Sequence, residues 1–326
     1  MATTTTGGRT SSALVTGGAG FIGRSIVEAL TARGWRVRVA DLLSSGRQRQ
    51  AAAAMSGVDV VGIDLSTAPL RELLLGVDAV VHLAGRPGVQ PSWGSGFDEY
   101  VRHNVTVTQR LLEVAGERRV VVASSSSVYG EIASGAASED APLRPLSPYG
   151  VSKVTTEMLV HAYAARGVDA VALRYFSVYG RHQRPDMAVS RLLGAVSTGR
   201  PFTLRGDGSQ QRDLTHVDDV VAATLAAIEA PLTPGAVVNI GSGRRFSLRD
   251  VIAEVARQTG RAVPVARVPT APGDPGRTAA DRRRALAELG WAPRVALADG
   301  IADQLAAHRA ECAYRDVVSD LTGTVA

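Results

Sequence analysis

A glycine-rich turn between a short apolar run and a helix-like segment constrains this chain more than any other feature. Residues 14–23 read LVTGGAGFIG. Glycines in such a turn allow a tight bend, close approach of the backbone to a phosphate, and close packing of helix on strand. The N–H groups at the start of the helix favour an anion, so a dinucleotide is the predicted ligand and an unliganded turn the alternative. The predicted contacts are Gly17, Gly20, Phe21, Ile22 and Gly23.

Short apolar runs alternate with helix-like segments through the first half of the chain. The predicted strands are 12–16, 36–41, 58–63, 79–83, 120–124 and 168–174. The predicted helices are 21–33, 97–115 and 149–165. Continuously apolar strands are typical of a parallel sheet buried on both faces. Repeated strand–helix units therefore predict an α/β fold with a doubly wound, Rossmann-type parallel sheet, whose ligands lie at the carboxyl ends of the strands.

The pattern changes after about residue 176, where Gly and Pro become more frequent. This change predicts a smaller mixed α/β lobe over 177–326 that binds the substrate, next to a dinucleotide-binding domain over 13–176. The run 237–240 is expected to return to the central sheet. Residues 1–12 are predicted to be a disordered lead-in.

Composition narrows the class of protein. The chain has 326 residues and a net charge of +5, but its basic residues are scattered, which argues against a nucleic-acid partner. A single cysteine, Cys312, and six histidines without metal-ligand spacing argue against a disulfide framework or a metal site. Without an apolar run long enough to cross a bilayer, no membrane partner is expected and a cytoplasmic location is predicted.

Asp41 ends the second predicted strand, about 20 residues after the glycine turn. A carboxylate there bonds ribose hydroxyls and repels a 2′-phosphate, which favours NAD over NADP. The alternative is that Asp41 only starts a turn. Arg47 and Arg49 lie nearby, and arginines there would allow a 2′-phosphate to bind, so NADP is a further alternative. Asp64, with Leu65 beside it, resembles an acid that contacts adenine, although a turn residue would look the same.

Tyr149 and Lys153 lie four residues apart at the start of a predicted helix and therefore share a face. A neighbouring ammonium and a nicotinamide cation would lower the tyrosine pKa from about 10 and make it a base. Four serines, Ser124–Ser127, follow the preceding strand. One of them is expected to bond the reacting oxygen, and the assignment is ambiguous by one place.

Several motifs together resemble one family. TGGAGFIG, HLAG, SSSSVYG, YGVSK and RYFSVYG are similar to the extended short-chain dehydrogenase/reductase family, in its sugar-nucleotide epimerase/dehydratase branch. The resemblance covers about residues 12–293 and implies a tightly held NAD and a nucleoside-diphosphate sugar. By position it implies Ser125 as the hydroxyl, Tyr149 as the base and Lys153 as the orienting cation. It also implies further cofactor contacts at Leu83, Ala84, Asn104 and Tyr175.

The lack of acidic residues directly after Ser125 helps to indicate which member of this branch the chain resembles. The 4,6-dehydratases carry an Asp-Glu pair, and the UDP-glucuronate decarboxylases a Glu, where this chain has Ser126 and Ser127. Without an extra acid, the simplest remaining reaction is 4-epimerisation through a transient 4-keto sugar. The segment 179–188 resembles the corresponding loop of UDP-glucuronate 4-epimerases. Arg184 is predicted to clamp the substrate carboxylate and prevent loss of CO2, and the alternatives are a diphosphate contact or a helix cap.

The remaining substrate contacts come from the same resemblance. Segment 206–219 matches a signature of the C-terminal lobe, in which Arg212 binds the diphosphate. Many relatives have a further arginine at the position of Ala271, which contacts the pyrophosphate. Arg277 is the candidate to replace that arginine in this chain. The remaining predicted substrate contacts are Ser126, Ser127, Ser177, Met187, Thr203, Arg205 and Asp274.

The predicted function is NAD-dependent interconversion of UDP-glucuronate and UDP-galacturonate. The alternatives are UDP-glucose 4-epimerase and, less favoured, UDP-glucuronate decarboxylase or 4,6-dehydratase. A non-catalytic NAD-binding scaffold is a hypothesis of another class, and the presence of Ser125, Tyr149 and Lys153 argues against it. The resemblance also implies a homodimer formed by the helices 97–115 and 149–165.

Overall fold

The structure is a computed structural model that describes residues 10–132, 134–269 and 275–322, with side chains up to residue 314. Asp274, predicted to contact the substrate, lies outside these residues, as do residues 1–9 of the predicted lead-in. Ser12, the last residue of that lead-in, is buried in the first strand.

A parallel sheet forms the centre of the part of the chain that is described. Its seven strands run in the order β10-β6-β5-β4-β1-β2-β3, which confirms the predicted doubly wound sheet. They are β1 Ser12–Thr16, β2 Arg36–Asp41, β3 Asp59–Gly62, β4 Ala79–His82, β5 Arg119–Ser125, β6 Ala170–Tyr175 and β10 Val237–Ile240. The last pairs in parallel with β6, at the predicted place.

Helices cover both faces of this sheet because its strands are apolar on both sides. Val15 and Val121 pack into one buried cluster, and Leu14 and Val120 into the other. The helices of this part are α1 Phe21–Ala32, α2 Gly46–Ala53, α3 Leu70–Leu73, α4 Phe97–Tyr100, α5 Val107–Val114, α6 Pro148–Ala164, α8 Val217–Glu229 and α10 Arg283–Leu289. Among the described residues, no helix is both long and apolar enough to cross a membrane.

A smaller lobe packs beside the carboxyl ends of the strands. Within the described ranges, its sheets have the orders β11-β9-β7 and β12-β8. Its strands are β7 Ser177–Tyr179, β8 Phe202–Arg205, β9 Gln211–His216, β11 Arg245–Ser247 and β12 Val265–Val268. Its helices are α7 Ala188–Thr198, α9 Leu248–Thr259 and α11 Leu297–Thr322, which enclose a third apolar cluster.

Two features differ from the sequence prediction. The predicted helix 97–115 contains a π-helical segment, Val101–Thr106, between α4 and α5. There the carbonyl oxygen of Asn104 accepts hydrogen bonds from Thr108 Oγ1 and Thr156 Oγ1. Helix α2 is absent from the predicted helices because it is polar, and a reciprocal capping pair of Ser45 and Gln48 fixes its start.

Candidate active site

The glycine turn forms a cradle of close backbone contacts. Gly17 has φ +70°, and a Cβ there would lie 2.8 Å from the backbone nitrogen of Ala84. At Gly23 a Cβ would overlap the carbonyl oxygen of Gly17. Phe21 and Ile22 begin α1 directly after the turn. Only glycine leaves the space that a diphosphate needs here, so this cradle fits a dinucleotide.

Asp41 lies beside this cradle at the end of β2. Its carboxylate accepts hydrogen bonds from the backbone N–H groups of Ala19 at 3.1 Å and Leu43 at 3.0 Å. Burial raises the pKa of Asp41, and these N–H groups only partly offset that effect. Arg47 pairs with Glu311 and Arg49 bonds the Leu43 carbonyl oxygen, so both arginines are engaged elsewhere. The arrangement favours ribose hydroxyls over a 2′-phosphate.

Asp64 and Leu65 lie at the adenine end predicted for the site. The Asp64 carboxylate pairs with Arg102 Nη2 at 2.5 Å and accepts a hydrogen bond from Ser66. The Leu65 side chain is buried in the core under the sheet. A contact of Leu65 with adenine would therefore use its backbone, and the roles of both residues stay predictions.

Asn104 shapes the cofactor side indirectly. It is buried, its amide oxygen accepts from the Arg86 N–H at 2.7 Å, and its amide nitrogen donates to Ser152 Oγ at 2.9 Å. Its side chain thus holds the backbone that follows β4, where Leu83 and Ala84 lie next to the glycine turn. The predicted contact of Asn104 with the cofactor stays a prediction.

Tyr175 ends β6 with a buried side chain. Its hydroxyl lies 2.8 Å from Thr224 Oγ1 of α8, and its ring packs in the cluster between the sheet, α1 and α8. The predicted contact of Tyr175 with the cofactor stays a prediction.

Tyr149 lies at the start of α6 against the serine turn after β5. Burial raises the pKa of Tyr149, while a hydrogen bond with Ser125 and the charge of Arg184 lower it, and the net pKa is raised. The predicted effect of the Lys153 ammonium on this pKa stays a prediction. The phenolate therefore needs further positive charge, which oxidised nicotinamide carries when bound.

Lys153 is buried, and its ammonium donates to the carbonyl oxygen of Ala123 at 2.7 Å. Burial lowers the pKa of Lys153 to about 8, although the Glu157 carboxylate opposes that shift. Glu157 is itself buried and forms a bidentate pair with Arg174, through Nε at 2.9 Å and Nη2 at 2.7 Å. Lys153 is thus fixed at the end of β5, one helical turn from Tyr149.

The four serines of the turn are distinguished by their partners. Ser124 donates to the buried carboxylate of Glu157, so its hydroxyl belongs to the core. Ser125 lowers the pKa of Tyr149, and its hydroxyl accepts a hydrogen bond from the N–H of Ser127 at 3.2 Å. Ser126 and Ser127 form the following helical turn and are half-buried. The geometry therefore favours Ser125 as the hydroxyl beside the base.

Arg184 lies on the loop between β7 and α7. Its guanidinium forms a bidentate pair with Asp186, with distances of 3.0 and 2.8 Å, and its side chain is 36% exposed. Its charge lowers the pKa of both Tyr149 and Tyr100. Ser177 begins β7 and Met187 directly precedes α7, so both flank this loop.

The predicted nucleotide contacts lie in two separate parts of the smaller lobe. Thr203 and Arg205 belong to β8, which pairs with β12. Arg212 in β9 donates to the carbonyl oxygen of Gly276 at 3.3 Å, and Arg277 bridges to Gln211. The backbones of Arg212 and Arg277 are thus neighbours, and the predicted role of Arg277 as a substitute stays a prediction.

Tyr100 is a site residue that the sequence did not indicate. Its ring makes an edge-to-face contact with Tyr149, with centroids 6.0 Å apart, and its hydroxyl donates to the Gly88 carbonyl oxygen at 2.9 Å. It lies one helical turn before Asn104. That spacing was the available signal, since residues one turn apart share a helix face.

Known proteins match this chain closely. The model of the NAD dependent epimerase/dehydratase family matches residues 13–241. YtcB of Bacillus subtilis, named as an uncharacterized UDP-glucose epimerase, is 42% identical over 247 residues, which are 74% of this chain and 78% of that protein.

Two solved structures have the same fold. UDP-glucuronic acid 4-epimerase from Bacillus cereus, in complex with UDP-glucuronic acid and NAD, gives a TM-score of 0.87 at 38% identity and covers 92% of this chain and 99% of that one. MoeE5 in complex with UDP-glucose and NAD gives 0.85 at 42% identity, with coverages of 93% and 100%. MoeE5 has also been solved with UDP-glucuronic acid and NAD. The chain therefore belongs to the NAD-dependent epimerase/dehydratase family that its motifs resemble.

Proposed function

We propose that this protein is an NAD-dependent UDP-sugar 4-epimerase whose preferred substrate is UDP-glucuronate. The observation that carries the proposal is that Tyr149 and buried Lys153 lie near the start of α6, which packs at Gly150 against the serine turn after β5. A base, an orienting hydroxyl and a cation adjoin the cofactor site. A scaffold that only bound NAD would not need this set.

Each residue has a distinct task in the cycle. Tyr149 takes the proton of the C4 hydroxyl, Ser125 orients that oxygen, and Lys153 supplies positive charge at the end of β5. NAD held at the glycine cradle would supply the hydride acceptor and donor. The 4-keto sugar would turn over between the two transfers, so that hydride returns to the opposite face of C4 while Tyr149 gives its proton back to the carbonyl oxygen. No net oxidation results, and the same NAD serves again.

Ser126 and Ser127 favour epimerisation over elimination. They provide hydroxyl groups in the turn next to Ser125, where a dehydratase needs an acid and a base to remove water. A decarboxylase would need the substrate carboxylate to align with the 4-keto group. Both alternatives therefore require groups or geometry that this turn does not offer.

Arg184 supports a uronate substrate. It lies on the loop between β7 and α7, and its charge lowers the pKa of Tyr149 and Tyr100. Asp186 already presents two carboxylate oxygens to it in bidentate geometry. The C6 carboxylate of UDP-glucuronate offers the same two oxygens and can replace Asp186. Held in this way, the carboxylate stays out of alignment with the 4-keto group.

UDP-glucose is the second candidate. It is favoured by the complex of MoeE5 with UDP-glucose and by the similarity to YtcB. The two substrates differ only at C6, so the question reduces to what Arg184 binds.

Replacement of Arg184 tests this assignment. We expect Arg184→Met to raise KM for UDP-glucuronate by about 10- to 100-fold and to leave KM for UDP-glucose nearly unchanged, because only the uronate loses a bidentate ion pair. Arg191→Met is the matched control, since Arg191 stacks on Phe202 with 4.8 Å to the ring centroid. An equal loss for both sugars would indicate that Arg184 binds the diphosphate instead.

The two ligands are assigned to different lobes. We assign NAD to residues 13–176 and the UDP-sugar mainly to 177–326, with Arg212, Arg277, Thr203, Arg205 and Asp274 at the nucleotide.

A homodimer through α6 and the segment 97–115 is supported by exposed apolar residues: Val101 is 38%, Val151 45% and Met158 53% exposed. Met158→Glu should therefore shift sedimentation towards the monomer, and an unchanged profile would remove this face from the interface.

A further inference from the structure

The first helix of the cofactor lobe contacts the loop that carries Arg184. His182 Nε2 lies 3.3 Å from a carboxylate oxygen of Glu28 in α1. Arg181 Nε lies 3.8 Å from the other oxygen, and Arg24, one turn earlier in α1, bonds Glu28 at 3.2 Å. Arg181 also pairs with Asp218 of α8. One carboxylate thus joins basic groups from two segments far apart in sequence.

The charge of Glu28 is maintained by these neighbours. Burial raises the pKa of the Glu28 carboxyl, but the hydrogen bond and charge of His182, with the charges of Arg24 and Arg181, more than offset that effect. The net pKa lies below its ordinary value. The carboxylate is therefore ionised at neutral pH and available to the loop.

The backbone of the loop depends on contacts at both sides. His182 has φ +65°, a left-handed conformation that is unfavourable for a residue with a Cβ. On the other side, buried Gln183 accepts a hydrogen bond from Gln304 of α11 at 2.8 Å, and the N–H of Gly180 donates to Gln304 at 2.9 Å. Alternate residues of the loop are thus held by α1 and α11, immediately before Arg184.

We infer that Glu28 and His182 form a latch that positions Arg184 and so sets the preference for uronate over neutral sugars. Neither residue is expected to touch substrate or cofactor; both are positioning residues that act through the loop. The inference rests on the proposed function, since it assigns Arg184 to the carboxylate. Bidentate pairing is sensitive to small displacements, because two hydrogen bonds must be aligned together.

The latch is tested with Glu28→Gln, His182→Asn and the double variant. Asn tolerates a left-handed backbone, so the imidazole is removed without added strain. The dissociation constants of UDP-glucuronate and UDP-glucose are measured by calorimetry on the NAD-loaded protein. Each single variant should weaken UDP-glucuronate about 3- to 10-fold and change UDP-glucose by less than about twofold. The double variant should be no weaker than the singles, because they remove one contact.

Glu229→Gln is the matched control. Glu229 in α8 pairs with Arg33 just after α1 at 3.4 Å, an exposed ion pair that does not touch the loop, and both dissociation constants should stay unchanged. Equal weakening of both sugars in the latch variants, or no change, overturns the latch. Turnover by the unmodified protein reports separately on the proposed substrate. If it epimerises only UDP-glucose, that substrate assignment fails, while the ratio of dissociation constants still decides the latch.

Discussion

The glycine cradle and the loop that carries Arg184 face the same site, but they are held by different means. The cradle is fixed by backbone packing, since a Cβ at Gly17 or Gly23 would meet neighbouring backbone. The substrate loop is fixed by side chains: Glu28 bonds His182, and Gln304 bonds Gln183. A site built from backbone tolerates few substitutions, whereas one built from side chains can be altered residue by residue. We therefore expect NAD binding and sugar preference in this protein to respond differently to single substitutions.

Removal of the Tyr149 hydroxyl should have the largest effect and should leave both regions intact. We expect Tyr149→Phe to lower kcat by about 10²- to 10⁴-fold, because proton transfer at C4 loses its base. NAD content and UDP-sugar affinity should stay near those of the unmodified protein, since the ring and its contact with Tyr100 remain. An unaltered kcat would remove Tyr149 from the mechanism.

A methyl group in the cradle should have the next largest effect. Gly23→Ala places a Cβ against the Gly17 carbonyl, so we expect a loss of about 1–3 kcal/mol in the free energy of unfolding and loss of bound NAD. Gly194→Ala is the control: it lies in α7 with no described atom within 4 Å of an added Cβ. It should gain about 0.5–1 kcal/mol through higher helix propensity. Chemical denaturation measures the free energy of unfolding of both variants, and their NAD content is measured alongside. An equal response of the Gly23 and Gly194 variants would contradict the difference expected between these two glycines.

The smallest predicted effect concerns His82, which links the cradle to the π-helical segment. Its imidazole lies 2.7 Å from Thr16 Oγ1 and 3.0 Å from Thr108 Oγ1. Burial, with a smaller contribution from Lys153, lowers the pKa of His82 from 6.5 to about 3. Between these values the unfolded chain binds a proton that the folded one does not, so stability falls as the pH drops from 6.5 towards 3.

The slope of that loss should approach about 1.4 kcal/mol per pH unit from this group alone. His82→Gln should therefore show a shallower dependence of the unfolding free energy on pH in this range. His161→Gln, at an exposed histidine, serves as the control and should keep the slope of the unmodified protein. Identical slopes for the His82 variant and the unmodified protein would contradict a buried neutral imidazole.

The two regions also differ in what the sequence could predict. The glycine turn, Asp41 and the strands were predictable because they depend on local spacing and apolar runs. The π-helical segment was not, since the bonds of Thr108 and Thr156 to the Asn104 carbonyl depend on α6 packing alongside. The orientation of Tyr175 towards Thr224 depends likewise on a helix about fifty residues later.

Contacts between side chains were the other feature that the sequence could not predict. The motif placed Lys153 near Tyr149, but it could not show that the ammonium also bonds the Ala123 carbonyl oxygen. Nor could it distinguish Ser124 from Ser125, because Ser124 is engaged by Glu157 only once α6 packs on β5. Contacts such as Glu28 with His182 join residues from different lobes and have no local pattern.

The most direct test of the central claim is a multiple-turnover assay on the purified protein without added NAD. Samples with UDP-glucuronate are separated by chromatography, and released CO2 and accumulated NADH are measured alongside. We predict UDP-galacturonate formed over many turnovers per bound NAD, without CO2 and without NADH. Release of CO2, accumulation of NADH in proportion to product, or a requirement for added NAD would contradict an epimerase that returns the hydride to the same sugar.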